Sequence, residues 1–500
     1  MTADTAQIHL PAVKAGGRRI SITRKAKRAA EIEEIEDVNE VAHDYPRPNP
    51  EAENHHKEEN GYKNRKERRG SSQKTLYEPL PEPPAYSHAN KKTMQIKQPA
   101  GPIMIKPGLE ATARSLKRIQ NQSTPIVHIA GTNGKGSTSA FVDALLASYG
   151  YRVGRFNSPH LIEERDSVSV GGAPCDASVW NSTQRDLLAH DTNFSTLTNF
   201  EKTTVTAFSI LSSKDIDIAV VEVGMGGLLD ATNAFERQGR DSIAVITPIA
   251  LDHQSWLGDS IEEITKHKMG IVTTLTKAVV VAPQIHSVVV KIIETRCSEL
   301  GVPIYITESN SLDASTPLKL TGSHQLDNAS TALSVLRALK AHCTGFVNVD
   351  LSNDERVKHT LSQVTLRGRS DRQVIDGAIV DGAHNPAAIM RLRETLPLTP
   401  HTFILAFSQG KEVDEMLTLL ARPHDSIIFV PFSTPEGMPW VKSMDTAELE
   451  ERARKLLCEV DISTAENVQD ALRQCQLNEA NDVVIAGSLY LVADVYRMCS

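Results

Sequence analysis

From residue 103 onward, short apolar runs alternate with stretches whose apolar residues recur at helical spacing. The run at 125–130 is short, continuous and apolar, as in a buried parallel strand. In the stretch 138–148, Phe141, Leu145 and Leu146 recur at helical spacing. Further runs that suit buried strands occur at 216–223, 242–246, 279–281, 426–430 and 482–486. Strands that alternate with helices predict an α/β fold with largely parallel sheets.

The first 100 residues follow a different pattern, in which few apolar residues separate charged and proline-rich stretches. A basic cluster at 14–28 precedes an acidic block at 31–40, and prolines gather at 46–50 and 79–84. The apolar surface available for burial is too small to offset the entropy lost on ordering. We therefore predict that 1–100 is a disordered extension. Its basic beginning fits an organelle presequence, a solvated tail or a nuclear-type basic patch.

The rest of the chain divides at a polar stretch. This stretch, 353–366, follows the helical segment 329–342. We predict a larger α/β domain at 101–355 and a smaller α/β domain at 356–500.

Composition and charge narrow the class of protein. Of the 500 residues, 40% are hydrophobic and 23% are charged, as in ordinary globular proteins. The net charge of -8 argues against a dedicated nucleic-acid binder. The six cysteines form no CxxC pair and no Cys/His zinc spacing, which favours free thiols in a reducing compartment. No apolar run approaches the ~20 residues of a membrane span, and the first residues lack the apolar core of a secretory signal. We therefore expect a soluble intracellular protein without nucleic-acid or membrane partners.

The clearest chemical motif lies between a predicted strand and a predicted helix, at 131–137. Glycines let the backbone turn tightly, so that several N–H groups face one phosphate, and the following helix directs its positive dipole end there. Lys135 would add a cation, and Ser137 or Thr138 a hydroxyl for a metal. Gly136 separates Lys135 from Ser137, unlike the strict phosphate-loop pattern. The order of strand, loop, lysine, hydroxyl and helix favours a nucleotide-binding loop over a glycine-rich turn with an exposed lysine. The predicted phosphate contacts are Gly131, Thr132, Asn133, Gly134, Lys135, Gly136 and Ser137.

The stretch 128–137, His-Ile-Ala-Gly-Thr-Asn-Gly-Lys-Gly-Ser, resembles the folylpolyglutamate and dihydrofolate synthase family of the wider Mur-ligase group. Further motifs follow in the order of that family, at 158–161, 221–224, 229–233, 251–253, 322–328, 368–369 and 381–385. The resemblance covers the chain from about residue 105 to its end. It implies a P-loop Mur-ligase-like central domain with a parallel-rich sheet and a smaller Rossmann-like α/β C-terminal domain.

The resemblance also implies a metal site and a second catalytic lysine. Ser158, Glu222 and His253 match the positions that hold Mg2+, an ion that prefers oxygen ligands and keeps waters. Lys268 matches a lysine that can be carbamylated and then helps to hold a metal. The chain has His-Lys-Met-Gly at 267–270, where the family usually has Glu-Lys-Ala-Gly.

The remaining implied contacts concern ATP and a pterin substrate. The positions that match ATP contacts are Asn328, Arg369 and Asp381. Those that match contacts with the pterin substrate are Gly108, Leu109, Thr198, Phe200, Glu201 and Leu229. An aromatic ring beside a carboxylate suits a flat heterocycle with N–H donors. Leu228 stands where the family commonly has arginine.

The activity that the resemblance implies is ATP-dependent ligation of L-glutamate to dihydropteroate through an acyl phosphate. The stretches 436–440 and 486–491 look like their counterparts in fungal dihydrofolate synthases, which favours that activity over folylpolyglutamate synthesis. Folylpolyglutamate synthase, or a bifunctional enzyme, is the first alternative. A non-catalytic relative that acts through its N-terminal tail is the second. We expect a monomer in the cytoplasm, with mitochondria as the alternative compartment.

Overall fold

The computed structural model describes residues 13–15, 18–20, 109–119, 124–212, 215–236, 240–309, 311–436, 438–477 and 482–499. Strands β1 (Val13–Ala15) and β2 (Arg18–Ile20) pair in antiparallel fashion. The rest of the N-terminal extension lies outside the described residues, so its predicted disorder stays a prediction.

A mixed sheet of eight strands forms the centre of the first half of the described chain. Its strands are β3 (Ile126–Ala130), β4 (Val153–Phe156), β5 (Val168–Val170), β6 (Ala173–Pro174), β7 (Ile218–Glu222), β8 (Ser242–Ile246), β9 (Thr276–Val281) and β10 (Ile304–Ile306). They are ordered β10-β9-β8-β3-β7-β4-β5-β6, and β4, β5 and β6 pair in antiparallel fashion while the other pairs are parallel. Every residue of β3, β7 and β8 is buried, which explains why these strands are mostly apolar.

Helices cover both faces of this sheet. They are α1 (Glu110–Leu116), α2 (Lys135–Ser148), α3 (Ala177–His190), α4 (Asn199–Leu211), α5 (Asn233–Glu236), α6 (Gln254–Leu257), α7 (Ile261–Lys268), α8 (Ser287–Leu300), α9 (Ser323–His342) and α10 (Asp354–Gln363). Val127 and Ile129 of β3 pack against α2 and α9, whereas Ile126 packs against α1 and α4 on the opposite face. Helix α2 begins three residues earlier than its apolar spacing indicates, because the turn at Gly134 already directs the chain into it.

A second sheet of five parallel strands follows. Its strands are β11 (Ala378–Val380), β12 (Thr402–Leu405), β13 (Ser426–Phe429), β14 (Asp461–Thr464) and β15 (Val483–Ala486), in the order β11-β15-β12-β13-β14. Its helices are α11 (Pro386–Thr395), α12 (Val413–Leu420), α13 (Thr446–Leu456), α14 (Val468–Leu477) and α15 (Leu489–Cys499). Separate apolar cores lie on its two faces. The predicted α/β fold with parallel-rich sheets is thereby confirmed.

The predicted division of the chain falls on helix α10. This helix occupies most of 353–366, and its Val357 and Leu361 are buried in the core shared with α2. Helix α10 therefore packs with the first sheet. The limits at 355 and 356 stay a prediction.

None of the helices within the described ranges is both long and apolar enough to cross a membrane.

Candidate active site

The glycine-rich loop after β3 is held by close contacts to its neighbours. A Cβ atom on Gly131 would lie 1.8 Å from Thr247 Oγ1, and one on Gly134, where φ is +84°, would lie 2.5 Å from Asn328 Oδ1. The backbone N–H groups of Thr132 and Asn133 donate to Pro248 O, at 2.9 and 3.2 Å. No side chain caps the beginning of α2. Its first N–H groups are therefore available to an anion at the positive end of the helix dipole.

Lys135 folds back over this loop. Its Nζ atom donates to Gly131 O at 3.2 Å and to Thr132 O at 3.3 Å, and lies 3.9 Å from Glu222 Oε1. The side chain keeps 16% of its surface exposed. The ammonium group is thus fixed beside the beginning of α2, where a bound phosphate would meet it.

Glu222 brings a buried carboxylate to the same place at the end of β7. Its Oε2 atom accepts a hydrogen bond of 2.7 Å from Asn157 Nδ2, which also donates to Ser139 Oγ at 2.7 Å. Ser158, the next residue after Asn157, has a buried Oγ atom with no hydrogen-bond partner among the described residues. A buried hydroxyl without a partner among the described residues suits the binding of a ligand at this point.

The fit of these groups to Mg2+ rests on their chemistry. Glu222 and Ser158 offer oxygen ligands, and Mg2+ takes few protein ligands because it retains waters and binds phosphates. The described part of the chain has no group of three or more His, Cys, Asp and Glu residues that could hold a metal ion. The oxygen atoms of Glu222 and Ser158 fit an ion that also binds water and nucleotide.

Lys268 is buried at the end of α7, and its Nζ atom donates to Gly131 O at 2.8 Å. Burial, followed by the nearby charge of Lys135, lowers the pKa of its amine to about 7. The glycine loop and the second predicted catalytic lysine therefore meet. A buried amine that is neutral in part near pH 7 is a nucleophile as well as a cation.

Two residues of the second half of the chain reach Asn133 of the phosphate loop and the nearby Asp252. Asn385 Nδ2 donates to Asn133 Oδ1 at 3.1 Å and to Asp252 Oδ2 at 3.3 Å. Lys411 Nζ donates to Asp252 Oδ1 at 2.9 Å. The two sheets are therefore joined across the candidate site. Sequence reasoning assigned no role to Asp252 or Lys411, although the glycine before Lys411, in a loop after β12, was a usable signal.

Asp252 and His253 lie close to positively charged side chains, including that of Lys411. Burial by itself would raise the pKa of Asp252, but His253, Lys411 and His384 hold it well below its ordinary value. Partial desolvation lowers the pKa of His253, whose side chain keeps 44% of its surface exposed, and Lys411, Lys268 and Lys135 contribute to the lowering. The predicted metal ligand His253 therefore shares one electrostatic environment with both predicted catalytic lysines.

His384 should make the folded chain sensitive to acid. Burial, followed by Lys411, lowers the pKa of its ring to about 4 from an ordinary value of 6.5. As the pH falls from about 6.5 to about 4, the unfolded chain binds a proton that the folded chain does not, so stability is lost across this window. We expect the melting temperature of His384→Gln to depend less steeply on pH between these values than that of the unmodified chain.

A matched control for this pH series is His190→Gln, because His190 lies exposed on α3. Equal slopes for His384→Gln and the unmodified chain would contradict the expected contribution of His384.

The predicted ATP contacts differ in their surroundings. Asn328 lies against Gly134 and accepts from Thr138 Oγ1 at 3.4 Å, so α9 does bring it to the loop. Arg369 donates to Gly368 O at 2.9 Å. Asp381 accepts backbone N–H groups from Ser370 and Ala383, both at 2.8 Å, and thus stabilises its own turn. Contacts of Arg369 and Asp381 with ATP stay predictions.

Two of the predicted substrate contacts lie beside the end of β7. Phe200 packs so closely on Gly224 that a Cβ there would lie 2.5 Å from its Cζ atom. In the loop that follows, Leu228 and Leu229 each keep 39% of their surface exposed. Phe200 and the two exposed leucines offer apolar surface that suits a flat ring.

The other predicted substrate contacts have structural partners in the described chain. Thr198 caps α4, and Glu201 completes the capping box through a hydrogen bond of 2.9 Å from Thr198 N. Glu201 also accepts from Thr112 Oγ1 at 2.9 Å. Leu109 is 4% exposed and belongs to the core. Gly108 lies outside the described residues, and the binding role of all four residues stays a prediction.

Two known protein families match the two halves of the chain. The Mur ligase middle domain family matches residues 129–336, and the family of the dihydrofolate synthetase C-terminal domain matches residues 363–498. Dihydrofolate synthetase of Saccharomyces cerevisiae is 30% identical over 431 residues, which cover 79% of this chain and 98% of that protein.

Solved structures show the same likeness. Mycobacterium tuberculosis folylpolyglutamate synthase complexed with ADP superposes with a TM-score of 0.67 and 26% identity, over 79% of this chain and 95% of that one. A bifunctional folylpolyglutamate synthase/dihydrofolate synthase with Mn, AMPPNP and L-glutamate bound gives a TM-score of 0.63 and 27% identity, over 78% and 93% of the two chains.

Proposed function

The chain belongs to the dihydrofolate synthase and folylpolyglutamate synthase family of the Mur-ligase group, and we propose on this premise that it joins L-glutamate to dihydropteroate. It is an ATP-dependent ligase that forms dihydrofolate, ADP and phosphate. The observation that carries this function is the fixed Lys135 ammonium group, held between the beginning of α2 and the Glu222 carboxylate.

The reaction needs ATP because a carboxylate is a poor acyl donor at neutral pH. The dihydropteroate carboxylate attacks the γ-phosphorus of ATP, the bond from that phosphorus to the ADP oxygen breaks, and an acyl phosphate forms. The amine of L-glutamate then attacks the acyl carbon, loses a proton and displaces phosphate. The protein contributes alignment and charge neutralisation to both steps.

Residues of both halves of the chain supply these contributions. Lys135 and the first N–H groups of α2 bind the transferring phosphate and stabilise its developing charge. Asn385 and Lys411 close over the phosphate loop through Asn133 and Asp252, so that water is excluded from the acyl phosphate. Arg369 adds a cation at this boundary.

We propose that Mg2+ is held by Glu222, Ser158 and His253. The buried carboxylate and the hydroxyl without a partner support this assignment. When bound, the ion would neutralise charge on the nucleotide phosphates. Lys268, as a carbamate, would add a further carboxylate to the same site.

The C-terminal match to dihydrofolate synthetase favours the synthase over the polyglutamylase. The stretches 436–440 and 486–491, which look like their counterparts in fungal dihydrofolate synthases, favour the same activity. Because a folylpolyglutamate synthase has a similar structure, folylpolyglutamate synthesis is the alternative activity, either instead of dihydrofolate synthesis or in addition to it.

Measuring ADP release with each acid substrate should distinguish dihydrofolate synthase from folylpolyglutamate synthase activity. We expect turnover when purified protein receives ATP, Mg2+, L-glutamate and dihydropteroate, and little when tetrahydrofolate replaces dihydropteroate. A preference for tetrahydrofolate would assign the chain to the polyglutamylases. Lack of turnover with either acid would favour a non-catalytic relative.

A further inference from the structure

A chain of buried hydrogen bonds links the strand before the phosphate loop to the loop after Glu222. His128 lies in the middle of β3 and is 1% exposed. Its Nε2 atom lies 2.9 Å from Thr232 Oγ1, which donates to Asp230 Oδ1 at 2.5 Å. We call His128, Thr232 and Asp230 the buried relay.

The direction of these hydrogen bonds follows from the donors available. Thr232 has a single hydroxyl hydrogen, and Asp230 receives it, since its carboxylate also accepts the backbone N–H groups of Thr232 and Met225. The hydroxyl oxygen must then accept from His128. Nε2 of His128 therefore carries a hydrogen, and the ring acts as the donor at the beginning of the relay.

The relay ends on the loop 224–229. Asp230 Oδ2 accepts from Met225 N at 2.8 Å and lies 3.1 Å from the position of a Cβ on Gly224. The ring of Phe200 packs against Gly224, and Leu229 of the same loop is exposed. The shape of this apolar surface thus depends on where the Asp230 carboxylate is held.

We propose that His128 is a positioning residue for the acid substrate, acting through Thr232 and Asp230 on the loop 224–229. The inference rests on the proposed function, because that function provides a substrate with a flat ring. His128 does not touch the substrate. It fixes the wall on which the ring lies, while the phosphate loop is held independently by Thr247, Pro248 and Asn328.

Binding measurements on the full chain test this role. We expect His128→Leu and Thr232→Val to weaken binding of dihydropteroate about 10- to 100-fold, measured by calorimetry with ADP present, because small displacements of a binding group have effects of this size. ADP affinity should stay unchanged. His128→Gln and Thr232→Ser, which keep a donor and a hydroxyl, should restore most of the dihydropteroate affinity.

His342→Gln is a matched control, because the His342 ring also meets a hydroxyl, that of Tyr305 at 2.8 Å, on another part of the sheet. Unchanged dihydropteroate affinity in His128→Leu would overturn the proposal, and so would an equal loss of ADP affinity, which marks a merely structural role. Turnover is measured in parallel. An unmodified chain that binds dihydropteroate but does not turn over would contradict the ligase function while leaving the relay supported by its variants.

Discussion

Replacement of Lys135 by alanine should lower turnover by about 10²- to 10³-fold, the range found when one group that stabilises transition-state charge is removed. The Nζ atom lies within 3.9 Å of Glu222 and is bound to two carbonyl oxygens of its own loop. Those contacts fix the cation before substrate arrives, so the loss should appear in kcat. Steady-state ADP release measures it.

The fold of Lys135→Ala should stay intact, because the side chain is part-exposed and its hydrogen bonds are confined to the loop. Its circular dichroism spectrum and melting temperature should therefore stay close to those of the unmodified chain. Lys277→Ala is the control, since Lys277 is exposed on β9 and pairs with Asp241 at the surface. Activity of Lys135→Ala equal to that of this control would remove Lys135 from the mechanism.

Replacement of Lys268 by methionine should separate activity from stability. The amine is buried, and burial lowers its pKa to about 7, so the folded chain bears the cost of desolvating a cation. A neutral amine can add carbon dioxide and release a proton, giving a carbamate. We expect Lys268→Met to reduce turnover by about 10- to 100-fold, as loss of a group that supports a metal site does.

The stability of Lys268→Met should not fall, because methionine fills the buried space without a charge to desolvate. Thermal melting measures this, and Lys266→Met on the exposed side of α7 is the control. A variant that keeps full turnover but melts at a lower temperature would show that Lys268 is a structural residue and nothing more.

Local sequence patterns were sufficient to predict many of the strands. The strand predicted at 242–246 coincides with β8, and those at 426–430 and 482–486 overlap β13 and β15 within one residue. Buried parallel strands are apolar on both faces, so each is a continuous run that needs no knowledge of its neighbours. Helix beginnings were less accurate, since the turn that starts α2 is made by backbone conformation at Gly134.

Among the candidate site residues, the glycine loop was predictable because its chemistry is contiguous in sequence. Glycine, lysine and hydroxyl residues stand between one strand and one helix, and the structure places Lys135 and Asn328 at that loop. Glu201 shows the limit of this approach. Its capping box with Thr198 is readable as a local Thr-x-x-Glu pattern, but its hydrogen bond from Thr112, 89 residues away, is not.

The sequence by itself determined the α/β class and, through motifs in family order, the kind of ligase, and it predicted the phosphate loop. These features depend on contacts between residues that are near in the chain, or on residue types that few other arrangements use. Only the tertiary structure decided that Asp252 meets Lys411, that Lys268 is buried against Gly131 and that the His128 ring meets the Thr232 hydroxyl. Such pairs are separated by more than 100 residues, and their contacts and burial exist only once the sheets have folded together.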